Sequence, residues 1–233
     1  MPQDEMLRHV ELSKAYPRIK EEKGRPPLAV LGGGHSALKY VEEVRAFKGE
    51  RWIVGSSFQW WKSQGIDGRF FSVHPSTNAL KNIDGVTDAV LASVTHPEVL
   101  KALGSAKVEL FDIESCGTTS VTAALYPAVT CGYPHVTLYG FDSSYRNGSH
   151  VYMDVKDPWQ VVVECDGKEY LTGAEFLKQA EYLAMAVCAA PKYFTNRSEG
   201  LLAAMIRSKG EYEPVRATKE FLSTVIFEER VNA

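Results

Sequence analysis

This chain has few of the features that would place it in a specialised class. It carries four cysteines, Cys116, Cys131, Cys165 and Cys188, and no two of them stand as Cys-x-x-Cys. That argues against a zinc ribbon and against a disulfide framework, and predicts reduced thiols in a cytoplasmic protein. No apolar run approaches the about 20 residues a membrane-spanning helix requires, so no span is expected. Residues Met1 to Lys23 are polar and charged and contain no signal-peptide core. Positive charge is not in excess: 26 Lys and Arg stand against 29 Asp and Glu, for a net charge of −3. A basic footprint for nucleic acid is therefore missing. Two common nucleotide signatures are missing as well. Gly32 and Gly34 are followed by Ala37, which is not G-x-G-x-x-G, and no Gly-Lys-Ser/Thr follows to make a P-loop.

What the chain does have is Leu28-Ala-Val-Leu-Gly-Gly-Gly-His-Ser-Ala-Leu38. An apolar strand runs into glycines and a serine, then into a helical pattern from Leu38 to Phe47. Glycine permits sharp turns and close backbone approach. A helix start offers unpaired N–H groups and the positive end of a dipole, which together suit an anion. The same segment also reads as a tight strand–helix turn with no ligand.

At 233 residues the chain fits one large domain, or one domain with an appendage. Residues 1 to 26 read as a charged lead with a helix around Glu5 to Tyr16. Further strands are expected at Arg51 to Ser56, Arg69 to Val73, Val86 to Ser93, Val108 to Phe111 and His135 to Tyr139. Helices are expected at Phe58 to Gln64, His96 to Leu103 and Thr118 to Cys131. This alternation predicts an α/β, Rossmann-like, mostly parallel sheet flanked by helices. Trp159 to Thr172, with Asp166-Gly167 at its centre, predicts a β-hairpin appendage near the mouth of the site, within about 151–172. Gly173 to Ala190 reads as a long amphipathic helix, Lys192 to Phe194 as a last strand, and the C-terminal stretch 211–233 as a surface helix. The nucleotide-binding domain is thus expected over 27–210.

Open α/β sheets bind ligands at the C-terminal ends of their strands. Those ends supply Gly32, Gly33, Gly34, His35 and Ser36, then Ser56 and Ser57, then His74, then Ser115, Gly117, Thr118 and Thr119. The last supplies Asp142, Ser143, Ser144 and Tyr145, with His150 shortly after. Small donor-rich residues of this kind suit phosphate and ribose. Each also has a plainer explanation. Ser and Thr near residue 119 cap a helix as readily as they bind phosphate. Asp142 suits a ribose or metal contact, or an Asx-turn. His150 suits a general base, or a solvated loop position, and His35 and His74 share that ambiguity. No ligand spacing supports a metal site among these histidines. Phe58, Trp60, Trp61, Phe70 and Phe71 suit the core better than base stacking.

Leu31-Gly-Gly-Gly-His-Ser-Ala-Leu38 resembles the Gly-Pro-Ser-Leu turn of two related groups. One comprises flagellin-modifying glycosyltransferases and archaeal hydroxymethylpterin pyrophosphokinases. The other comprises bacterial sialyltransferases that use CMP-sialic acid. Gly117-Thr-Thr-Ser, then Ala123 to Cys131, then Gly132 to Asp142 is similar to their second block. Ser143-Ser-Tyr with His150-Val-Tyr, Asp166 to Thr172, and Asn196-x-Ser-Glu-Gly200 also have counterparts, so the resemblance spans roughly residues 28 to 205. It implies a nucleotide-dependent transferase. Gly34 and Ser36 would hold phosphates, Gly117 and Thr118 would line the pocket, Asp142 would form its floor and His150 would be the base. The donor would be a nucleotide or nucleotide-sugar, of the CMP type, and the acceptor a glycan, a protein or a small alcohol. A homo-oligomer is compatible with this. Two departures stand out: His35 replaces the usual Pro, and His74 stands where the pyrophosphokinases carry an Asp. A diphosphokinase needs carboxylates to hold Mg²⁺, so the second departure favours a glycosyltransferase over an ATP- and Mg²⁺-dependent enzyme. A binding or scaffold protein that retains the fold without the chemistry is the remaining expectation.

Overall fold

A computed structural model describes residues 3–112, 119–145 and 160–217. The short apolar runs of the sequence form β1 (Leu28–Leu31), β2 (Glu50–Val54), β3 (Arg69–Ser72), β4 (Asp88–Ala92), β5 (Lys107–Phe111) and β6 (Val136–Tyr139). Together with β9 (Phe194–Arg197) they make one parallel sheet in the order β5-β4-β3-β2-β1-β6-β9. Helices cover both faces: α1 (Gln3–Ser13), α2 (Val41–Ala46), α3 (Phe58–Ser63), α4 (Pro97–Ala102), α5 (Ser120–Thr130), α6 (Ala174–Ala189) and α7 (Gly200–Arg207). This is the expected Rossmann-like α/β architecture. Among the described residues, no helix is long and apolar enough to cross a membrane.

Strand periodicity explains the two cores. Successive residues of a strand point to opposite faces, and a parallel sheet is covered on both. Leu28 and Val30 join Trp52, Phe71 and Leu138 under α5, α6 and α7. Ala29 and Leu31 join Ile53, Phe70 and Leu91 under α3 and α4. Trp52, Trp61, Phe70 and Phe71 are fully buried. Each contributes roughly 1.5–3 kcal/mol by leaving water, which settles their role as core rather than ligand contacts.

The N-terminal lead is part of this fold. Leu110 N–H donates to Pro17 O at 2.8 Å and Ile19 N–H to Leu110 O at 2.8 Å, so the segment covers the outer edge of β5. Covering an edge removes a template for unwanted strand pairing.

A second sheet comprises β7 (Gln160–Cys165), β8 (Lys168–Gly173) and β10 (Glu213–Ala217), in the order β10-β7-β8. Asp166 and Gly167 both have positive φ, 53° and 69°, as a type I′ hairpin turn requires.

Several boundaries differ from the sequence reading. Glu213–Ala217 is a strand, not the beginning of a surface helix. The free edge of β7 pairs with it, and the ladder shifts between Pro214 and Arg216, where proline has no N–H to offer. The last parallel strand is Phe194–Arg197 instead of Lys192 to Phe194. The N–H groups of Tyr193 and Phe194 are both spent on Ala190 O in the turn that ends α6. The stretch after the glycines begins as a 3₁₀ turn, His35–Tyr40, before α2. Helix α7 has no counterpart among the elements expected from the sequence.

Candidate functional site

The sheet order fixes where a ligand can enter. From β1 the chain proceeds outward through β2 to β5, then returns to lay β6 on the other side of β1. At such a switch point the connections diverge and leave a crevice beyond the strand C-termini. A cavity of about 270 Å³ lies there.

Gly32, Gly33 and Gly34 form one wall, Ser56 and Ser57 after β2 a second, and His74 after β3 a third. Thr119 to Val121, at the N-terminus of α5, form a fourth. The stretch Gly140 to Ser144 after β6 and the first turns of α6, with Glu175, Phe176 and Gln179, complete it. Of the residues expected from sequence, Gly32, Gly33, Gly34, Ser56, His74, Thr119 and Asp142 therefore converge. His35 and Ser36 sit in the first turn behind the wall and do not line the cavity. Tyr145 is buried behind it, its ring edge-on to Phe176 at 5.6 Å. Ser115, Gly117, Thr118 and His150 lie outside the described residues.

Glu175, Phe176 and Gln179 were missed by the strand-end logic, because they come from a helix. The available signal was Gly173: a hairpin that ends directly in a helix N-terminus must bring that helix to wherever the hairpin packs.

The glycine turn is wired mainly to protein. Gly32 N–H donates to Tyr139 O at 2.8 Å, and Gly34 N–H to Gly140 O at 2.7 Å. Trp61 Nε1–H donates to Gly32 O at 2.8 Å. A Cβ on Gly32 would lie 2.6 Å from Gly140 O, and one on Gly34 would lie 2.7 Å from Asp142 Cγ. Gly32 and Gly34 are thus required by the close approach of the β6 turn. Among the described residues, nothing accepts from the Gly33 N–H, which leaves it as the donor of this turn that a ligand could use.

Asp142 holds the two turns together. Its carboxylate accepts from Ser36 N–H at 2.8 Å, from Ser36 Oγ, and from Glu199 N–H at 3.1 Å. The serine expected to bind phosphate therefore spends both its donors on this carboxylate. Ser143, next in the chain, is held at φ 52°. Gln179 Nε2 donates to its hydroxyl at 2.9 Å and Thr172 Oγ1 to its carbonyl at 2.7 Å. Such a conformation costs about 1–3 kcal/mol and persists only where the surroundings enforce it.

The electrostatics of the cavity are modest. Among the described lining residues there is no Lys or Arg; Asp142 and Glu175 are the carboxylates and His74 the imidazole. His74 Nδ1 accepts from Ser76 N–H at 3.3 Å and lies 2.9 Å from Ser76 Oγ. The neutral ring thereby carries its proton on Nε2, as a donor. At the start of α5, Thr119 and Thr122 form a reciprocal capping box. The Thr119 hydroxyl is a cap, and the Ser120 and Val121 amides remain at the positive end of the helix.

The fold and the crevice define a Rossmann-like α/β protein with a ligand cavity at its topological switch point. Comparison with protein-family models, with curated proteins and with solved structures finds no match.

Proposed function

We propose that the chain is a nucleotide-dependent transferase, specifically a cytoplasmic glycosyltransferase that takes a nucleotide-sugar donor of the CMP type. The observation that supports this most is the charge balance of the cavity. The N-termini of α5 and α6 and Gly33 line it, with no Lys or Arg among its described lining residues. That provision matches a single phosphate better than a triphosphate with its metal. The acceptor is a glycan, a protein or a small alcohol, whose hydroxyl gives up its proton to His150 as the nucleotide leaves.

A Mg²⁺-dependent diphosphokinase is the weaker reading. It needs carboxylates free to hold the ion beside the phosphates. Asp142 has its oxygens taken up by Ser36 and Glu199, which leaves Glu175 alone among the described lining residues.

A thermal-shift series with CMP, CDP, UDP, GDP, ADP and ATP, each with and without Mg²⁺, tests the proposal. A ligand specific to the native state stabilises it by about 2.7 kcal/mol at a hundredfold excess over its Kd. We expect a metal-independent shift with CMP. A shift confined to ATP with Mg²⁺ would favour the diphosphokinase, and no shift with any nucleotide would leave a scaffold. Separately, His150→Ala should lower turnover by about 10²–10⁴-fold with CMP binding unchanged. Unaltered turnover in that variant would remove the histidine from the mechanism.

A further inference from the structure

Helix α1 packs its second turn against the segment that links β4 to α4. There His9 is only 4% exposed. Its Nδ1–H donates to Val94 O at 3.2 Å, which leaves Nε2 with the ring's lone pair. Among the described residues no donor reaches that nitrogen. His96 stands edge-on to it, the ring centroids 4.9 Å apart and the planes at 77°. Glu5 lies one turn before His9 on the same helix face. One ligand atom from each of Glu5, His9 and His96 lies within 4.8 Å of the others.

We propose that Glu5, His9 and His96 bind one divalent transition-metal ion of the Zn²⁺ type, which pins α1 to the β4–α4 segment. Two imidazole nitrogens and one carboxylate oxygen are the donor set that such borderline ions take. His9 already has the supporting bond that metal-binding histidines use, its far N–H held by a backbone carbonyl. Ligands on a tetrahedral ion lie ~3.3 Å apart, so atoms now up to 4.8 Å apart must close by as much as about 1.5 Å. Glu5 is exposed, so closing the group falls chiefly to its side chain. The fourth position opens to water, since only His9 of the three is buried.

His96 adds a condition. Its Nδ1 accepts from Glu98 N–H at 3.2 Å and caps α4. A neutral imidazole with one nitrogen on a metal keeps its proton on the other, so ligation through either nitrogen ends that cap. Metal and cap compete for the same ring. None of the three residues lines the cavity described above, so the site is separate from the proposed transferase chemistry.

The test uses the full chain and Co²⁺ or Zn²⁺ alone, followed by calorimetry, thermal denaturation and the visible spectrum of the Co²⁺ form. One equivalent should bind and raise the melting temperature. The spectrum should be that of nitrogen and oxygen ligands, without a thiolate charge-transfer band. His96→Asn removes the imidazole but leaves a good capping side chain, so the apo variant should fold as the parent does. It should lose about tenfold or more in metal affinity, and so should Glu5→Gln. Absence of uptake by the parent chain would overturn the proposal. So would uptake unchanged in both variants, or a thiolate band that places the ion on cysteines instead.

Discussion

Asp142→Ala is expected to destabilise the chain by about 3 kcal/mol and to weaken nucleotide binding with it. The side chain is 6% exposed and is the shared acceptor of three donors from two separate turns. Truncation leaves the Ser36 and Glu199 amides and the Ser36 hydroxyl without their acceptor. An orphaned buried donor costs about 1–3 kcal/mol, and water entering from the adjoining cavity offsets part of the sum. In a chain of this size the loss lowers the melting temperature by roughly 6–12 °C. Asp142→Asn is the sharper experiment. The amide keeps the shape but replaces one acceptor oxygen with an NH₂ donor. Turned either way, that NH₂ meets a backbone N–H, of Ser36 or of Glu199. Asn should therefore cost about 1–3 kcal/mol despite near-identical volume. Urea denaturation of both variants checks this; an Asn variant as stable as the parent would show that the carboxylate is not the bracket. Gly33 lies three residues before Ser36, in the turn that this bracket holds against the β6 turn, so its N–H should lose its aim and nucleotide affinity should fall with stability.

That bracket marks the limit of what could be read in the sequence. The β-strands were legible because each is a short apolar run bounded by breakers, and their alternation with helices implied a parallel sheet. From that, the strand-end rule located Gly32 to Gly34, Ser56, His74 and Asp142 at one place, and the cavity is there. The reasons for the residues were less legible. Glycines before a helix read as space for a ligand, whereas Gly32 and Gly34 are small because the β6 turn lies against them. Ser36 read as a phosphate contact because the pairing of Ser36 with Asp142 spans 106 residues. Spacing along the chain carries no information about that contact. The same holds for β10, whose strand conformation depends on the edge of β7, and for Glu175, which reaches the cavity from a helix. Local pattern identified the elements, but the partners of polar groups are set by topology, which only becomes visible once the order β5-β4-β3-β2-β1-β6-β9 is known.

The second large effect is expected at the opposite end of the sheet, at Arg69. Its guanidinium lies at the start of β3 with its side chain 9% exposed. Nε donates to Asp88 Oδ1 at 2.7 Å on β4, and Nη2 to Glu109 Oε2 at 2.6 Å on β5. Nη1 donates to Glu50 Oε1 at 3.3 Å on β2. One cation thus joins four adjacent strands. Burial works against its charge, but Asp88, Glu50 and Glu109 outweigh it and hold its pKa above the ordinary value. Arg69→Met keeps much of the volume and removes the charge, leaving three carboxylates close together. Breaking a buried pair from one side costs about 3–5 kcal/mol, and the partial exposure of these carboxylates places the expected loss near the lower bound. Arg69→Lys should rescue only part of it, because an ammonium cannot reach three carboxylates in a planar fork. The exposed pair Arg207–Asp166 is the control. Arg207→Ala should shift stability by less than about 1 kcal/mol, as solvent screens a pair of that kind. Denaturant midpoints for the three variants decide the matter. If Arg69→Met were no worse than Arg207→Ala, the cluster would contribute nothing beyond a surface pair. The register of β2 to β5 would then rest on apolar packing alone. Because the cluster is distant from the cavity, Arg69→Met should leave nucleotide affinity unchanged at temperatures where it remains folded. Asp142→Ala should not, and that contrast separates a residue that supports the sheet from one that shapes the site.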